Sequence, residues 1–123
     1  MQNALLIASG ALAIFAGFAH SYLSERILLG PLYAEGGSKV LKNPRTRDII
    51  RAVFHIPSAA WAILGALLIY ASMTATPAPL LIYAAAAVFL VSGLANFAAL
   101  RRLHIGALVL TSAAALAVAG LNA

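Results

Sequence analysis

Three histidines, His20, His55 and His104, stand at the inner edges of the only two charged stretches of this chain, residues 25–51 and Arg101–Arg102. A neutral imidazole ligates zinc, copper or iron, and it titrates near neutral pH. The chemistry this pattern suggests is a metal or haem site. His20 and His55 would be its ligands, with His104 as a third or substitute. Arg51 would orient an anionic group, a lipid phosphate or a cofactor propionate, and Glu25 would support an imidazole from behind. Nothing in the spacing assigns a reaction, so whether the chain is an enzyme stays open at this level.

Each piece also has a plainer reading. A histidine near a helix end is commonly an interfacial or hydrogen-bonded residue, and His104 beside Arg101–Arg102 fits that best. Asp48 and Arg51, three apart, read as a solvated ion pair of little energetic value. Glu25 follows His20 by five residues, about 140° round a helix, so it aligns better with Ser21. Ser92 and Asn96 read as interhelical hydrogen-bonding groups, worth about 0.6 kcal/mol each on average. His55 resists the plain reading most. It is the deepest of the three, and an intramembrane ionisable group is a functional candidate by default.

The elements that position these residues follow from hydropathy. The chain has 123 residues, 63% of them hydrophobic and 9% charged, against about a quarter charged in soluble domains. A charge at a bilayer centre costs roughly 2.5–3.5 kcal/mol on insertion scales. Spanning needs about 20 apolar residues per helix. Four runs qualify, predicting helices at about 4–23, 46–73, 77–100 and 103–121, with an amphipathic loop over about 24–45. The expected fold is therefore all-α: one transmembrane domain over 1–123, an up-and-down four-helix bundle. All eight Lys and Arg fall in two segments, which the positive-inside bias assigns to the cytoplasm, leaving both termini outside. The net charge of +5 then points to anionic lipid head groups rather than nucleic acid. A bacterial inner membrane is the expected location. The first run lacks a basic leader and is expected to be a retained helix. With no cysteine, disulfides and thiolate ligands are excluded.

Spacing adds detail. Ser9, Ala13, Ala16 and His20 share one face of the first helix, where small residues permit close contact. Asp48, Arg51, His55, Ser58, Ala62 and Gly65 form one ridge on the second, running from charged to small with depth. Asn43-Pro44 suits a helix start. Trp61 is too deep for an interfacial belt and should pack in the bundle, whereas Tyr70 and Tyr83 suit the opposite surface. The third and fourth helices should form a tight hairpin. No glycine-rich phosphate loop, hydrolase elbow or zinc-protease motif occurs. The lack of acidic groups deep in the spans argues against a small proton-coupled exporter.

The patterns Ala19-His20-Ser21-x-x-x-Glu25-Arg26 and Arg51-x-x-Phe54-His55-x-x-Ser58-x-x-Trp61 resemble a family of small bacterial four-helix membrane proteins to which no activity is attached. The resemblance covers roughly residues 16–65, with Phe54 and Ser24 standing where that family usually has tryptophan and glycine. It implies that His20, Glu25 and His55 matter, without supplying an activity. The leading expectation is thus a small integral membrane protein with a histidine-centred polar site near the cytoplasmic face, binding a metal ion or haem. The alternatives are a non-catalytic subunit of a larger membrane complex or a homo-oligomer, and a lipid-binding or permeation protein.

Overall fold

The computed structural model describes residues 1–74, 78–102 and 104–123. Helices α1 (Gln2–Leu23), α2 (Gly30–Glu35), α3 (Lys39–Lys42), α4 (Pro44–Ser72), α5 (Pro79–Leu100) and α6 (Ile105–Asn122) account for most of them, and no strand occurs among the described residues. Four helical stretches are long and apolar enough to cross a membrane: Gln2–Glu35, Pro44–Ser72, Pro79–Leu100 and Ile105–Asn122. They form the four-helix membrane bundle that the hydropathy predicts. Large apolar side chains such as Phe18, Val53, Ile56 and Val91 face outward, as a hydrocarbon solvent permits.

The first span departs from its expected end at residue 23. It runs on through a π-helical turn, Ser24–Leu29, into α2, and stops only at Gly36, whose φ of 59° no longer follows the helix. The supposed loop over 24–45 is therefore largely helical. Pro31 would break an ordinary helix by removing a donor and crowding the carbonyl four residues back. A widened turn just before it re-satisfies the backbone, as Gly30 N–H bonds to Glu25 O. Ser38 then caps α3 by accepting from Leu41 N at 3.2 Å, and Asn43 caps α4 by accepting from Arg45 N at 3.0 Å. The predicted starts at Pro77 and Leu103 lie outside the described residues. Within them, α5 opens at Pro79 and α6 at Ile105 behind His104.

Small residues set the packing. α1 and α4 run antiparallel in their most extensive contact. A Cβ built on Gly65 would stand 2.5 Å from Gly10 O, and one on Gly17 would stand 2.5 Å from Ser58 O. The predicted ridge of α4 is thus the face that meets α1. On its other side α1 meets α6, where Ser9 Oγ donates to Ala113 O at 2.7 Å. α5 packs on α6 with Gly93 close to Ala107 and Thr111. Leu6, Leu68, Ile82, Phe89 and Leu110 fill the centre. α4 and α5 touch sparsely, so the ring of helices is loose along that one seam.

Candidate functional site

Two histidine–serine bonds tie α1 to α4, each helix contributing one histidine. His20 Nδ1 lies 2.9 Å from Ser58 Oγ, and His55 Nδ1 lies 2.8 Å from Ser21 Oγ. The antiparallel register makes this possible: adjacent residues 20 and 21 on one helix face residues 58 and 55, three apart on the other. Pro57 between them does not end the helix. The rings of His20 and Trp61 also meet in a T-shaped contact, with centroids 5.2 Å apart and planes 76° apart. Trp61 is buried and donates from Nε1 to Ser92 Oγ at 3.0 Å, bridging the loose α4–α5 seam.

Toward the charged end, Glu25 is a hub. Its Oε1 lies 3.0 Å from His55 Nε2 and accepts from Arg51 Nε at 2.6 Å, and Oε2 accepts from Arg51 Nη2 at 3.3 Å. A ring nitrogen facing a carboxylate carries the proton, so in neutral His55 the other nitrogen accepts from the Ser21 hydroxyl. Ser21 and Glu25, four apart, grip both ends of one imidazole. Arg51 in turn lies over the ring of Tyr33, 5.5 Å from its centroid, and Arg47 lies 5.3 Å from the same centroid. Tyr33 Oη donates to Arg47 O at 3.0 Å, and Arg47 Nε donates to Leu41 O. This cluster pins the amphipathic segment onto α4. Asp48 is exposed and does not pair with Arg51, which spends its charge on Glu25.

The three histidines therefore do not converge. His20 and His104 line one cavity of about 360 Å³, whereas His55 lines a different one on the outer face of α1 and α4. Among the described residues no group of three or more His, Asp or Glu side chains is placed to hold a metal ion. His55 has both ring nitrogens engaged by protein partners, which leaves no lone pair for a ligated ion in this arrangement. The residues present do not fit the expected shared metal or haem. His104 serves as the cap of α6, its Nδ1 accepting from Gly106 N at 3.1 Å.

The cavity shared by His20 and His104 draws its walls from all four spans. Phe15, Leu28, Phe54, Leu100, Val109 and Leu110 make it mostly apolar; His20, Ser24, Asn96 and His104 supply polar groups. Asn96 Nδ2 donates to Ser92 O at 2.9 Å. The second nitrogens of His20 and His104 have no hydrogen-bond partner among the described residues. Sequence spacing pointed to Ser58 through its place on the α4 ridge and to Ser21 through its alignment with Glu25. Nothing in the spacing pointed to Tyr33, since its partners lie across a chain reversal.

Searches against protein-family models, curated proteins and solved structures found no match for this chain.

Proposed function

We propose that this small integral membrane protein binds a membrane-borne amphiphile in the cavity shared by His20, Asn96 and His104, at the basic end of the bundle. The observation that carries the reading is the cavity itself: about 360 Å³, walled by all four spans, apolar except for a few polar side chains. Ligand sites commonly have this size and make-up, with apolar walls for affinity and few polar groups for orientation. The positive-inside bias assigns this end, with all eight Lys and Arg, to the cytoplasmic leaflet of a bacterial inner membrane. The resemblance of the first two spans to small bacterial four-helix proteins belongs to the same proposal. Glu25, Arg51 and His55 serve as the clamp that holds one wall in place, because Ser24, Ile27 and Leu28 of that wall flank Glu25 on the π turn.

Trp61 lines the cavity and is the chain's single tryptophan, so its emission reports on an occupant. A fatty alcohol carrying bromine on its chain quenches tryptophan on contact. Added to the detergent-solubilised protein, it should quench Trp61 saturably. Ala19→Phe, which fills part of the cavity from a half-buried wall position, should convert this to weak, linear quenching. Equal quenching of both proteins would refute the reading.

A further inference from the structure

We infer that the occupant's head group is an uncharged ring bearing carbonyl oxygens, of the quinone type, held by a hydrogen bond from His104; this rests on the amphiphile reading above. The argument begins with the capping bond of α6. Because His104 Nδ1 accepts from the Gly106 amide, that nitrogen is unprotonated, and the proton of the neutral imidazole sits on Nε2. His104 lines the cavity, and its Nε2 has no partner among the described residues. The fold therefore fixes a donor there and leaves it for an acceptor.

Charge supplies the second constraint. Among the described residues no Lys, Arg, Asp or Glu lines this cavity. Glu25 is neutralised by Arg51 outside it, and Arg101 and Arg102 are exposed beyond it. A phosphate head group inside would need a guanidinium or ammonium partner, and none is offered. The head group that suits the lining is thus neutral and rich in acceptors. Shape supplies the third. The T-shaped pair of His20 and Trp61, with Phe15 and Phe54 also on the walls, offers aromatic surfaces to a flat ring. An apolar tail would leave through the walls toward the acyl chains.

The test uses the full chain in detergent micelles and a short-tailed benzoquinone, read through Trp61 emission. His104→Asn keeps a good capping side chain for α6 while deleting the Nε2 donor. The expected result is saturable quenching by the benzoquinone, weakened about tenfold in His104→Asn, the loss of one hydrogen bond. Equal affinity in the two proteins would overturn the inference. If the brominated alcohol saturates while the benzoquinone quenches only linearly, the ring-carbonyl inference falls and the amphiphile reading stands. If neither saturates, both fall. Displacement of the benzoquinone by phosphatidylglycerol but not by uncharged diacylglycerol would overturn the claim of a neutral head group.

Discussion

Ser58 sits 2.9 Å from His20 Nδ1, and three residues earlier on the same helix His55 reaches back 2.8 Å to Ser21. Each of the first two long helices thus lends the other a histidine and receives it on a serine. The exchange has a consequence for stability. Ser58 is buried, so Ser58→Ala removes a hydroxyl and leaves a half-buried ring nitrogen with nothing in its place. A loss of about 1 kcal/mol is expected. Ser21, less buried, should cost less. Reversible unfolding in mixed micelles would measure both. The ranking fails if Ser21→Ala is the more harmful.

Glu25 and Arg51 call for a different expectation. Their side chains are 35% and 46% exposed, and ion pairs at that exposure contribute little after screening and side-chain ordering. Their value is in placing His55. Glu25→Gln should leave the unfolding midpoint nearly unchanged, yet it should alter the ¹⁵N shifts of the His55 ring, because the carboxylate that holds the Nε2 proton is gone. Combining Glu25→Ala with Arg51→Ala should cost less than the two single changes summed, since both break one pair while Glu25 also holds His55 and Arg51 also lies over Tyr33. Fully additive losses would show that the pair itself contributes nothing.

The four spans were legible because a bilayer leaves the sequence little choice: charge must collect at the edges. The ridge from Asp48 to Gly65 was legible for a related reason, since small and polar residues at helical spacing can face only another helix. That His20 shares its cavity with His104 and not with His55 was not. It depends on α6 packing against α1, a contact between the two ends of the chain that no local spacing encodes. The metal expectation finds no support at the same point. Spacing could place the imidazoles near one depth but could not reveal that a serine and a carboxylate already occupy the nitrogens of His55. The run of helix past Leu23 goes through Gly30-Pro31, a pair that disfavours an ordinary helix and is absorbed here by a wider turn.

That wider turn has its own test. A Cβ on Gly30 would approach Glu25 O to 2.8 Å, closer than side chains come to a carbonyl. Glycine at 30 therefore lets the π turn close, and the turn in turn fixes Glu25. Gly30→Ala should push the segment toward another register and loosen the Glu25 grip on His55. The His55 ¹⁵N shifts should move as they do in Glu25→Gln, although Gly30 bonds Glu25 at its backbone carbonyl and not at its carboxylate. Unchanged shifts would mean the turn does not set the position of Glu25.

The hairpin between α5 and α6 offers a stabilising change. Arg101 closes α5 in the left-handed region at φ 49°, with its N–H bonded to Phe97 O at 2.9 Å. A residue with a Cβ pays roughly 1–2 kcal/mol there, and glycine avoids the cost. Glycine gives back part of the gain through a more flexible unfolded chain. Arg101→Gly should therefore raise stability by about 0.5–1 kcal/mol, with Arg102 still marking the basic surface. The side chain is exposed, so little packing is lost. If unfolding instead shows a loss, Arg101 holds something outside the bundle, and an anionic lipid head group would be the first candidate to test by changing vesicle charge.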